Sequence, residues 1–136
     1  MKTRVYRARG FLLSCAELHF LRALRRVVRP PVAIAPKVRL ADVVGCRHKR
    51  PSVFALAPIT QKHLDFVLYD WHSSRILAAV ELDDSSHDRP KTARRDALVN
   101  KTLSIAGVRL FRIPAAHQYD VDELARRMQS LSLRRQ

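Results

Sequence analysis

The run AAVELDDSSH, residues 78–87, begins as an apolar stretch and ends in Glu81, Asp83, Asp84, two serines and His87. Carboxylates at the end of a buried strand are costly unless they are paired, protonated or bound to a cation. Strand side chains alternate faces, so Glu81 and Asp83 share one face and Val80 and Leu82 the other. A further acid, Asp65, interrupts HLDFVLYD (63–70), where Leu64, Phe66 and Leu68 mark the opposite face. Hard oxygen ligands gathered in this way suit Mg2+ or Mn2+. A divalent cation held by them would activate a water and neutralise charge on phosphate oxygens, the needs of phosphodiester hydrolysis. His87 is a candidate general acid or base, since an imidazole titrates near neutrality, or a residue that pins the loop by a hydrogen bond. His63 shares the face of Asp65 and is a second candidate. Asp84, Ser85 and Ser86 read as turn and cap residues.

Whether Asp65 meets Glu81 depends on the turn between the two strands. A five-residue loop, Trp71 to Arg75, sets Asp70 opposite Ile76 and Asp65 opposite Glu81. A four-residue loop sets Asp65 opposite Val80 and turns the whole face over. The first register is the expectation because it gathers the acids; the turn alone does not decide. Trp71 in that turn either stacks on a base or packs into the turn, and packing is the commoner fate.

The elements that must position these residues read in the order α-β-β-β-α-β-α, an α/β domain. Ser14 and Glu17 form a capping box ahead of Leu18, Leu21, Leu24 and Val28, a helix that ends before Pro30-Pro31. Residues 37–44 alternate as a strand closed by Gly45, and SVFALAPI (52–59) holds at most a short helical turn. Strands follow at 63–70 and 75–82, a helix at about 91–106 with Gly107 as its C′ residue, a strand at 108–113, and a last helix capped by Asp120. The 136 residues are read as one domain, with a core at about 14–131, a basic arm at 1–13 and a tail at 132–136.

The net charge is +14, from 26 Lys and Arg against 12 Asp and Glu, which points to a polyanionic partner, nucleic acid before any other. Arg22, Arg25, Arg26 and Arg29 form one basic stripe and Arg47, His48, Lys49 and Arg50 another. With Lys62 and Lys91 they are the candidate phosphate contacts, which position a strand without reading its sequence. Cys15 and Cys46 make no disulfide framework or paired zinc motif, so a reducing, cytoplasmic location is expected. The apolar run Phe11–Leu13 is too short for a signal peptide, and no stretch approaches membrane-spanning length.

The segment from Lys62 to Pro114 resembles the PD-(D/E)XK, or restriction-endonuclease-like, nuclease superfamily. It is similar in particular to a bacterial branch of unknown function akin to very-short-patch repair endonucleases. The resemblance rests on Asp65-Phe66, Val80-Glu81-Leu82-Asp83, His87, Arg95-Asp96, Gly107 and Arg112 in that order. It implies a restriction-endonuclease-like core, a mixed central sheet flanked by helices, and Mg2+-dependent cleavage of nucleic acid, DNA first. Asp65 and Glu81, with the Leu82 carbonyl, would hold the metal; Glu17 would approach from the first helix. The superfamily's lysine, two positions after the Glu, is Asp83 here. Asp83 is then a third ligand, or a cation among Lys62, Lys91, Arg94, Arg95 and Lys101 takes the lysine's place. Asp96 would orient His87 or Arg94. Two other readings stand beside this one: a nuclease fold that binds nucleic acid without cutting, and a basic protein-interaction module.

Overall fold

Ser14 and Glu17 close the capping box in both directions: Ser14 Oγ accepts the Glu17 amide at 3.1 Å, and Glu17 Oε2 accepts the Ser14 amide at 2.8 Å. Helix α1 (Cys15–Val27) follows and buries Phe20 and Leu24 completely. The structure is a computed structural model that describes residues 5–50, 52–84, 89–129 and 131, the side chains of 53–55, 89 and 92 excepted.

After Pro30-Pro31 the chain extends at once into β1 (Val32–Arg39). The strand thus starts and ends earlier than the expected 37–44. Pro36 lacks a donor, which an edge strand tolerates, and β1 is the edge of the sheet. Beyond it, Leu40–Val43 form one helical turn, α2, rather than a continuing strand. Arg39 closes this turn with two bonds to Asp42, Nε–Oδ2 at 3.0 Å and Nη2–Oδ1 at 2.7 Å. Leu40 is fully buried and its amide bonds the Lys62 carbonyl at 2.8 Å, so the apparent alternation through Val43 and Val44 serves a helical packing face. SVFALAPI supplies an eight-residue helix, α3 (Val53–Thr60), with Pro58 inside it.

The remaining elements are β2 (His63–Asp70), β3 (Ile76–Asp83), α4 (Arg89–Ala106), β4 (Leu110–Pro114) and α5 (Val121–Met128). Gly107 ends α4 at φ 73, the left-handed conformation that an L side chain resists. Asp120 caps α5 by accepting the Asp122 and Glu123 amides. The order is therefore α-β-α-α-β-β-α-β-α, with two short helices added to the expected sequence of elements.

The four strands form one mixed sheet in the order β1-β2-β3-β4. β1–β2 and β2–β3 are antiparallel; β3–β4 is parallel, joined through α4. Helices cover both faces. On one, α1 and α5 bury Phe20, Leu24, Leu124 and Met128 against Phe66, Leu68, Val80 and Phe111. On the other, Leu40 of α2 and Val99 and Leu103 of α4 pack on Val67 and Ala79. Both faces being apolar explains why β2 and β3 read as nearly continuous hydrophobic runs and why an acid among them stands out. Among the described residues no helix is long and apolar enough to cross a membrane.

Candidate functional site

The hairpin that carries the acids is built in a way neither loop length foresaw. The Asp70 amide bonds the Arg75 carbonyl at 2.8 Å, so the loop holds four residues, 71–74. That loop alone would put Asp65 opposite Val80. Instead Tyr69 pairs with Ile76 while Leu68 pairs with Ala78, leaving Leu77 as an extra residue in β3. This bulge shifts the register by one, and Phe66 then pairs with Val80. One residue further along, Asp65 faces Glu81, as the five-residue loop would have placed it.

The two acids bond each other's strands. Asp65 Oδ2 accepts the Leu82 amide at 2.8 Å, and Glu81 Oε1 accepts the Asp65 amide at 3.2 Å. Alternation with Val67 and Ala79 puts both on the face beneath α4; Leu64, expected on the other face with Phe66 and Leu68, packs on this one as well. Glu81 is 4% exposed and is the one buried charged residue among those described. Burial, and then the negative charge of Asp65, push its carboxyl up to about 8; the Asp65 amide and the Arg95 charge oppose the rise. Neither acid forms an ion pair among the described residues.

Asp83 is drawn elsewhere. Its Oδ1 takes Arg112 Nη1 at 2.8 Å from the neighbouring parallel strand. Arg112 also donates to Asn100 Oδ1 at 2.9 Å and to the Asp96 carbonyl at 3.4 Å, with the Asp96 carboxylate 3.7 Å away. Asp83 and Asp96 are thus members of an arginine-centred network that ties β3 and β4 to α4. In place of the expected third ligand and the orienter of His87 or Arg94, the structure has two partners of Arg112. No group of three or more His, Cys, Asp or Glu side chains gathers as a metal site among the described residues. His87 lies outside the described residues.

Of the cations, Arg95 comes nearest in effect: Nη2 bonds the His63 carbonyl at 3.1 Å and its charge acts on Glu81. Lys91, Arg94 and Lys101 are exposed on the same helix, and Lys62 is half-buried beside β2. Arg47 and Lys101 line a second space, a cavity of about 540 Å³ between α2, α3 and α4; Lys49 and Arg50 are exposed on the adjoining segment. Arg22, Arg25 and Arg26 are exposed on α1, which covers the opposite face of the sheet from the acid pair. Glu17 also belongs to that layer. Its carboxylate serves the capping box and Lys37 Nζ at 3.5 Å, and it contacts neither acid.

Lys37 is a residue that sequence reasoning missed. Pro36 pairs with Phe66 and Val38 with Leu64, which puts Lys37 level with Asp65. Its φ is 52, an uncommon conformation for a non-glycine residue inside a strand. Such outliers cluster at functional sites. Nothing in the pattern PKVR announces it.

No curated protein and no solved structure matches the chain. One family does, over residues 9–131, and that span takes in both cores, the acid pair and the Arg112 network. By that match the chain belongs to the family described as Protein of unknown function (DUF2726).

Proposed function

We propose that this chain is a metal-dependent nuclease of the PD-(D/E)XK kind that hydrolyses nucleic-acid phosphodiesters, DNA in the first instance. One observation carries the reading: a buried glutamate and a neighbouring aspartate share one face of adjacent strands, each bonded to the other's strand and neither neutralised by a basic side chain. The donor set fits a small hard cation. Mg2+ is commonly held by one or two carboxylates and keeps several of its own waters, so a larger cluster is not required. A mixed sheet with a three-strand antiparallel meander and a parallel fourth strand, flanked by helices, supports the restriction-endonuclease-like assignment.

Asp65 and Glu81, with the Leu82 carbonyl, would hold the metal. Bound there, the cation would lower the pKa of a water and offset charge on the phosphate. The remaining roles belong to the chain's own groups. The Leu82 and Asp65 amides orient the two carboxylates. Arg95 is the cation placed to face a phosphate at this end of the sheet; Lys37, level with Asp65 in register, spends its ammonium on Glu17. Lys91, Arg94 and Lys101 extend the positive surface along α4. His87 remains a candidate acid or base.

The test is Mg2+- or Mn2+-dependent cleavage of supercoiled plasmid and labelled oligonucleotides. Activity should vanish in Asp65→Ala and Glu81→Ala while DNA binding persists. A second reading, a nuclease fold that binds without cutting, is favoured by Asp83, which stands at the lysine position and is held by Arg112. Metal-independent binding that survives both substitutions, with no cleavage by wild type, would decide for it.

A further inference from the structure

Trp71 does not pack into its turn. It is 68% exposed, although the turn beneath it is firmly built. Asp70 Oδ1 accepts the His72 amide at 2.9 Å, the Ser73 amide at 2.8 Å and the Ser73 hydroxyl at 3.0 Å. The Trp71 amide bonds the Pro31 carbonyl at 2.8 Å, which locks the turn to the start of β1. Between the two segments lies a cavity of about 500 Å³ lined by Pro30, Pro31, Val32, Ala33, Trp71 and His72.

The lining of this slot combines an aromatic ring with prolyl and aliphatic groups, and the prolines add no amide donors. Such surfaces accept a flat ring by stacking and do not ask which ring it is. Two arginines flank the lining residues in the chain. Arg29 precedes Pro30 and Arg75 follows the turn; both are exposed, and neither has a carboxylate partner among the described residues. The acid of this turn, Asp70, spends its carboxylate on the turn amides. An apolar cavity with an aromatic wall and an exposed arginine next to each lining segment in the chain, in a protein of net charge +14, matches a base flanked by phosphodiesters.

We propose that this slot binds an unpaired nucleobase of a single strand, with Arg29 and Arg75 on the adjoining phosphates. The site is separate from the acid pair: Asp65 and Trp71 are six residues apart along the chain, roughly 20 Å at ~3.3 Å per strand residue. The proposal rests on the nucleic-acid half of the preceding reading and not on cleavage.

Trp71 is the chain's sole tryptophan, so tryptophan emission, excited selectively over the tyrosines, reports the slot alone. The full chain in EDTA is titrated with oligothymidylate, oligouridylate, an abasic deoxyribose-phosphate oligomer and a proline-rich peptide. Thymidylate or uridylate should quench the emission and the abasic oligomer should not; the two base-bearing arms separate a DNA ligand from an RNA one. By anisotropy of labelled oligonucleotide, Trp71→Ala should weaken binding roughly 5- to 100-fold and Trp71→Phe should restore most of it. Circular dichroism verifies that both variants fold. Equal quenching by the abasic oligomer, unchanged affinity in Trp71→Ala, or quenching by the peptide alone would overturn the proposal. Quenching by oligonucleotide without Mg2+-dependent cleavage would refute the nuclease and leave this site standing.

Discussion

Replacing Glu81 by glutamine should make the metal-free protein more stable at alkaline pH, and the size of the gain follows from the site. Glu81 is buried next to Asp65, and its carboxyl is raised from 4.5 to about 8. Below about 4.5 the folded and unfolded chains both carry the proton, and this group adds no pH dependence. Between the two values the unfolded chain has lost the proton and the folded chain keeps it. The native state then binds more protons, so stability declines as pH rises, by ~1.4 kcal/mol per pH unit, and levels off above the folded value. The ceiling on the total loss is roughly 5 kcal/mol, and relaxation of the site brings the real figure below it. A glutamine side chain in this place keeps an oxygen for the Asp65 amide and offers Asp65 an N–H, yet never ionises. Wild type and Glu81→Gln should therefore be nearly equal at pH 5 and differ by a few kcal/mol at pH 9, with the variant the more stable. Urea denaturation followed by circular dichroism in EDTA, from pH 5 to 9, measures both curves. Their difference cancels the titrating groups that do not interact with Glu81, and so reports Glu81 together with its coupling to Asp65. Parallel curves over the whole range, or a variant less stable at pH 9, would refute the claim that a buried like-charge pair resides here.

Mg2+ at pH 8 should raise the melting temperature of wild type by mass action and leave Asp65→Asn and Glu81→Gln unmoved, as read by thermal denaturation with and without the ion. Arg112→Met should cost about 1–3 kcal/mol in urea denaturation, because it strips Asp83, Asn100 and the Asp96 carbonyl of their shared donor. Phe20→Ala should cost about 3–5 kcal/mol, since Phe20 is fully buried against Phe66 at 5.6 Å and Tyr119 at 5.3 Å between ring centroids. DNA affinity should fall steeply with salt, and charge removal at Lys91, Arg94 and Lys101 should flatten that dependence more than removal at Arg22, Arg25 and Arg26. The α4 set shares a face with the acid pair and the α1 set does not.

Much of the local architecture is readable in the residues. Ser14 and Glu17 announce the first helix, Asp120 the last, and Gly107 the end of the helix between them. These are contacts within three or four positions, and a short pattern suffices to encode them. The acids are conspicuous because they interrupt strands that are otherwise apolar. The first strand falls earlier than its pattern suggests because Val38, Leu40, Val43 and Val44 alternate plausibly, while the Arg39–Asp42 pair and the Leu40–Lys62 bond that turn the chain into a helix are not visible in the alternation.

What the sequence determined by itself was which residues carry charge on which strand and which side chains are able to face a core. Only the tertiary structure decided that Asp65 and Glu81 meet. The four-residue loop would have separated them, and a single extra residue, Leu77, restores the register. It also decided that Asp83 turns to Arg112, that Lys37 sits strained beside Asp65, and that Trp71 stands in solvent over a slot. The physical reason is common to all four. A one-residue slip reverses every face of a strand, and the bulge, the cross-strand arginine and the docking of the turn on Pro31 depend on residues distant in the chain, whose approach no local pattern states.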